Sequence, residues 1–159
     1  MSFPVGFRFH PSDRELVFHY LYRKVVGKPL PCEHVVTECD LYGEREPWQI
    51  YGGSTEKIRY FFTKLKKKTD GGSRIDRTIG SGTWKGQRVA SSVLDEQGRC
   101  IGRKKMLTYE NKGSAMNHGR WVMHEYGLDG SLLDETQVSE LFSIEPNSTS
   151  LLLNFDRTY

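Results

Sequence analysis

Long apolar runs are missing from this sequence. No stretch reaches the ~18 apolar residues that a membrane span needs, and the apolar cluster Leu151–Leu153 near the end is far too short. No membrane partner is expected. The opening MSFPVGFRFH lacks the apolar segment of a secretory signal, so a non-exported chain is expected. Cysteine is scarce: Cys32, Cys39 and Cys100 are an odd number, which reads as reduced thiols in a reducing compartment. Catalytic signatures are also missing. His124-Glu125 begins like H-E-x-x-H but ends on Leu128, Gly80-Ser81-Gly82 lacks the G-K-[ST] of a phosphate loop, and there is no G-x-S-x-G. No enzymatic activity and no cofactor are expected. Cys32, His34 and Cys39 lack a fourth ligand and regular spacing, so no metal site is expected either. There is no internal repeat.

What remains suits one folded domain. The chain has 159 residues, 36% hydrophobic and 27% charged, enough to build a core. The net charge of +3 hides a strong asymmetry. Lys57 to Lys105 holds 14 Lys/Arg against 4 Asp/Glu, whereas Glu125 to Tyr159 holds 1 against 7. A basic middle between acidic ends points to a polyanion, and an ordinary solvated basic face is the plain alternative.

Phe3, Val5, Phe7 and Phe9 alternate, as in a short strand or extended arm. Ser12 to Glu15 is a capping-box pattern. It opens a helix with Leu16, Val17, Tyr20, Leu21 and Val25 on one stripe, stopped by Gly27. Val35–Leu41 reads as a short helix or extended piece, and Pro47 starts a short helix through Trp48 and Tyr51. After Gly52-Gly53 the signals are β. Strands are predicted at Ile58–Leu65, Thr83–Val89, Arg103–Tyr109, Arg120–Leu128 and Val138–Ile144, with a loop over Thr69–Gly82 and a hairpin turn at Asp95–Gly98. Helices followed by strands imply an α+β class, an antiparallel sheet with helices packed beside it.

The stretch GSGTWKGQR, Gly80 to Arg88, lies in the basic region. On a strand Thr83, Lys85 and Gln87 share one face, and Trp84, Gly86 and Arg88 the other. Trp84 is the natural core anchor. The opposite face can then point outward, with Gly86 allowing close approach to a groove. Lys85 suits guanine acceptors and Gln87 adenine, and Arg88 suits a phosphate. Lys64, Lys66, Lys67 and Lys68, with Arg74 and Arg77 across a glycine turn, form a basic arm that can reach phosphates or simply guard a sheet edge.

Four stretches in order, "VGFRFHPSDRELV", "DLYGEREPWQI", "YFFTKLKKKTDGGSRIDRTIGSGTWK" and "GRKKMLTYENKG…RWVMHEYGL", resemble the plant NAC transcription-factor domain over residues 3 to 128. The resemblance implies a twisted antiparallel sheet packed between a few helices, binding to double-stranded DNA, a dimer and a nuclear location. In the family a sheet edge with a W-K-A-T-G-K motif enters the major groove. Matching positions here are Lys68, Arg74, Arg77, Thr83 and Lys85, to which the chain's own Gln87 and Arg88 are added. Family dimers pair the arginine of G-F-R-F with the glutamate at the helix start; here these are Arg8 and Glu15, flanked by Phe7 and Phe9. Homodimers are expected, and heterodimers with other NAC proteins are a further option. A rival reading is a dimerising module of weak DNA affinity that sequesters relatives.

The chain departs from the pattern where Gly86-Gln87-Arg88-Val89 replaces A-T-G-K, where Thr83 replaces a tyrosine, and where VSELFSIEP replaces the closing strand. The family's long activation region is missing, which reads either as a DNA-binding fragment or as a short member. The expected division is a domain over 3–145 and a flexible tail over 146–159, with Leu151 to Phe155 a frayed apolar end that faintly resembles leucine-rich repressor motifs.

Overall fold

The computed structural model describes residues 3–54, 56–68, 74–86, 88–111, 113, 120–133 and 150–158, with backbone alone for 66–67, 120 and 150–158. The N-terminal helix runs through three abutting segments, Asp13–Glu15, a π-helical stretch Leu16–Leu21, and Tyr22–Val25. Its capping box forms: the Ser12 hydroxyl accepts the Glu15 N–H at 3.2 Å and donates to the Glu15 carboxylate at 2.9 Å. Gly27 ends it at φ +70°. The second helix, Pro47–Tyr51, starts on its proline as expected.

The strands are β1 (Val36–Glu38), β2 (Ile58–Lys64), β3 (Lys66–Lys67), β4 (Ile75–Asp76), β5 (Thr78–Ile79), β6 (Gly82–Gly86), β7 (Ser91–Leu94), β8 (Cys100–Glu110), β9 (Arg120–Leu128) and β10 (Ser150–Thr158). Among the described residues one sheet has the order β1-β2-β10-β9-β8-β6-β5, with β7 also on β8; β3 and β4 form a separate hairpin. Every pairing is antiparallel except β1 with β2. The α+β expectation holds.

Each sheet face carries its own core. On one, Leu16, Val17, Tyr20 and Leu21 of the helix pack with Tyr60, Phe62, Ile101 and Tyr126. The helix start is also tied to the sheet by polar contacts, the Tyr126 hydroxyl donating to Asp13 at 2.7 Å and Lys104 at 3.1 Å. Gly102 permits this approach, since a Cβ there would lie 2.5 Å from the Gly127 carbonyl and 3.0 Å from Val17 Cγ1. On the other face Leu41, Tyr42, Ile50 and Tyr51 cover Phe61, Trp84, Leu107, Trp121 and Met123. Burying each large side chain contributes about 1.5–3 kcal/mol, so the sheet is held from both sides.

Three sequence expectations change. Residues 3–9 form no strand; the Phe7 N–H closes a turn onto Pro4 O at 3.0 Å, and Gly6 has φ +91°. A strand needs a ladder partner, and the only packing ring of that arm within the chain is Phe9, against Tyr20 and Tyr60 at 5.3 and 5.0 Å among the described residues. The loop over 69–82 contains β4 and β5. Residues 150–158, expected in a flexible tail, form β10 between β2 and β9, and Leu151–Leu153 pair with Phe61–Thr63. An apolar run bounded by polar residues is what an interior strand requires. The strand predicted at 138–144 lies outside the described residues.

If β10 completes the sheet, its amides should exchange with solvent as slowly as those of β9 in native-state hydrogen exchange. Deleting 150–158 should then speed exchange in β2 and β9 at least tenfold. Coil-like exchange across 151–157 would return these residues to a tail.

Candidate nucleic-acid interface

The turn that precedes β6 is built around one carboxylate. Glu46 accepts the Ser81 N–H at 2.7 Å, the Ser81 hydroxyl, and the Tyr109 hydroxyl at 2.6 Å. Asn111 donates to the Tyr109 hydroxyl at 3.1 Å. Burial and the bond to Glu46 push the Tyr109 phenol above its usual range. Gly80 sits at φ +51°, and a Cβ there would lie 2.4 Å from the Glu46 carboxyl carbon, so glycine is required on two grounds. At Gly82 a Cβ would meet Glu110 O and the Tyr109 ring at 2.5 Å, which shows how closely β6 is pressed on β8.

From this turn β6 alternates as expected. Trp84 is 2% exposed and meets the Tyr109 ring edge-on at 5.8 Å. Thr83 and Lys85 take the opposite face, in register with Glu110 and Thr108. Lys85 is half exposed, and its Nζ lies 2.6 Å from Glu110 Oε2, a diagonal cross-strand pair. β5 pairs only with Gly82 and Thr83, so Lys85 and Gly86 lie past its end, at the margin of the sheet. An open concavity of about 670 Å³ adjoins this margin, lined by Ser81, Gly82, Thr83, Lys85, Glu110 and Asn111. Arg88 is exposed. Gln87 lies outside the described residues.

Lys68 and Arg74 are exposed and face each other across the β3–β4 hairpin, with the Lys68 N–H on Arg74 O at 2.9 Å. Arg77 is placed differently. Its guanidinium is 19% exposed and donates from Nη2 to both oxygens of Glu125, at 2.9 and 3.2 Å. The Tyr42 hydroxyl donates to the same carboxylate at 3.0 Å. Burial first, and then Glu125, push the Tyr42 phenol far above its usual range. Meanwhile the Arg77 carbonyl accepts the Trp84 N–H at 2.9 Å and the Thr83 hydroxyl at 3.1 Å. One residue therefore joins β9 to the margin strand.

Sequence reasoning missed Glu46, Glu110 and Glu125, because acidic residues flanking a basic region read as solvated. The available signal was Glu125 inside the apolar run WVMHEYGL, where an acid needs a buried partner. At the other end of the sheet, Phe7 is 67% exposed and Arg8 is exposed. They line a concavity of about 590 Å³ with Phe9, Ile58, Arg59 and Tyr60. Arg8 has no ion-pair partner among the described residues, whereas Glu15 serves its capping box. Among the described residues no group of three or more His, Cys, Asp or Glu is placed to hold a metal, and no helix is long and apolar enough to cross a membrane.

A mixed sheet covered by helices on both faces, with a margin strand anchored by a buried tryptophan, defines the class: an α+β domain. The chain belongs to the No apical meristem (NAM) family, the NAC-domain family of plant transcription factors, whose model matches residues 4–128. It is 41% identical over 133 residues to NAC domain-containing protein 83 of Arabidopsis thaliana, covering 82% of this chain and 52% of that protein. It is also 41% identical over 131 residues to NAC domain-containing protein JA2 of Solanum lycopersicum, covering 80% and 37%. Over 132 residues it is 41% identical to NAC domain-containing protein 68 of Oryza sativa subsp. japonica, covering 80% and 41%. The chain thus matches about half or less of the length of these relatives.

Removing one partner of a buried pair strands the other's charge. Glu125→Ala should cost about 3 kcal/mol in urea denaturation, and Tyr42→Phe about 1 kcal/mol. A Glu125→Ala loss below about 0.5 kcal/mol would mean that the pair is in effect solvated.

Proposed function

We propose that this chain is a sequence-specific double-stranded DNA-binding domain that acts as a dimer in the nucleus, with the β6 margin entering the major groove. The observation that carries the reading is the split of β6: Trp84 is locked in the core while Thr83 and Lys85 face outward at the end of the sheet. A strand held from behind presents base-reading groups without a large ordering cost. Lys85 reads guanine acceptors, and Gln87 pairs with adenine if the alternation continues. Lys68, Arg74 and Arg88 contact phosphates. Arg77 positions the edge. Phe7, Arg8 and Phe9 form the dimer contact, with Arg8 reaching Glu15 of a second copy of the chain.

The rival reading, a dimerising module that sequesters relatives, is favoured by one detail. Lys85 is already matched by Glu110 on the outward face, which lowers the field that a phosphate meets there. Gel shifts against duplexes with and without a family-type CGT core, at several salt levels, separate the two. Four phosphate- or base-contacting cations should give a slope of log K against log salt of about −3 to −4. Lys85→Ala should erase the preference for the core while leaving nonspecific binding. Equal affinity for both duplexes in the wild-type chain would favour the sequestering module.

For the dimer, sedimentation velocity should show Arg8→Glu dissociating the wild-type species and Arg8→Glu with Glu15→Arg partly restoring it. A rim pair contributes only about 0–1 kcal/mol, so the reversal should weaken the dimer rather than abolish it. A wild-type monomer at high micromolar concentration would remove the dimer from the proposal.

A further inference from the structure

Gly86 is the unexplained glycine of the margin strand. It does not have positive φ, so backbone freedom is not what the position needs. Its missing side chain leaves a space that is used. A Cβ at 86 would lie 3.0 Å from Cε of Lys105 and 3.5 Å from its Nζ. The Lys105 stem therefore leans from β8 across the outer strand, over the glycine of β6 that lies past the end of β5.

The register explains the direction of that lean. Lys105 stands directly opposite Glu125 on β9, the natural carboxylate for it. Both Glu125 oxygens are already engaged by Arg77 and Tyr42. Lys85 is taken up by Glu110 and Lys104 by Asp13, but Lys105 has no ion-pair partner among the described residues. A half-buried stem whose ammonium has no carboxylate partner among the described residues is thus carried toward the sheet margin on the face of Trp84 and Gly86. Lys85 lies on the opposite face. The edge consequently has a cation on each side.

We propose that Lys105, seated over Gly86, is a DNA-backbone contact on the side of the margin strand opposite Lys85, so that the edge is clasped by phosphate contacts from both faces. This rests on the DNA-binding reading above. A strand edge in a groove has a phosphate wall on either side, and a cation on only one would leave it free to tilt.

The test uses the whole chain and a labelled duplex carrying the core, followed by fluorescence anisotropy from low to moderate salt. Lys105→Met keeps the stem and removes the charge. With Lys105 as a fifth contacting cation the wild-type slope becomes about −4 to −5; Lys105→Met should make it shallower by about 0.9 and weaken binding roughly 5- to 10-fold at 0.1 M salt, equally for core and coreless duplexes. Lys105→Arg should restore the slope. Gly86→Val should displace the stem and reproduce the Lys105→Met loss, Gly86→Ala a smaller part of it, and Gly86→Val combined with Lys105→Met should be no weaker than Lys105→Met alone. Wild-type binding with an unchanged slope in Lys105→Met would overturn the assignment while leaving the parent reading intact, and so would full additivity in the double variant. A wild-type chain that binds no duplex at any salt would overturn both. Unaltered melting temperatures for the Lys105 variants would separate the contact from a folding defect.

Discussion

The buried carboxylate of Glu125 fixes how this sheet ends. It holds Arg77 by its guanidinium and Tyr42 by its hydroxyl, and through the Arg77 carbonyl it fixes the Thr83 hydroxyl and the Trp84 backbone. The loop that covers one core, the central strand β9 and the margin strand β6 therefore meet at one carboxylate. A buried ion pair is weak evidence of stability in itself, because desolvation offsets most of the Coulomb gain. Here its consequence is geometric. Three hydrogen bonds from two donors onto two oxygens allow one arrangement of those elements, and a slipped register of β6 would leave a buried charge unmatched.

Acidic residues set the electrostatics of the basic region as much as the lysines do. Glu46 organises the turn before β6, Glu110 holds Lys85, and Asp13 holds Lys104. A count of cations between 57 and 105 gives the sign of the field but not its shape. Exposed pairs such as Lys85–Glu110 are worth about 0–1 kcal/mol, so an incoming phosphate can compete for the lysine. The buried pair on Arg77 is a different case, since drawing that guanidinium out would leave Glu125 and Tyr42 facing each other in an apolar setting.

Much of the fold was legible because its signals are local. The capping box at Ser12, the stripe from Leu16 to Leu21, Pro47 at a helix start and the alternation around Trp84 each act within a few residues. What escaped depends on partners far away in the chain. Nothing near Arg77 marks it as half-buried; its partner lies 48 residues on. Leu151–Leu153 reads as a loose end until β2 and β9 are known to flank it. Lys105 reads as one more basic residue in RKK until Gly86 is seen beneath it. Residues 3–9 have the alternation of a strand but no ladder partner within the chain.

The place of β10 has a kinetic consequence. β2 and β9 are distant in sequence, and the strand that joins them is the last element described in the chain. During synthesis both cores can begin to form around their helices, but the sheet cannot close until residues 150–158 have left the ribosome. For that interval β2 and β9 carry open edges, the feature by which nascent β proteins find wrong partners. Contacts of such long sequence separation also close slowly. Folding of this domain is thus finished by its last described strand, and the interval between β9 and β10 is when its unpaired edges are most exposed.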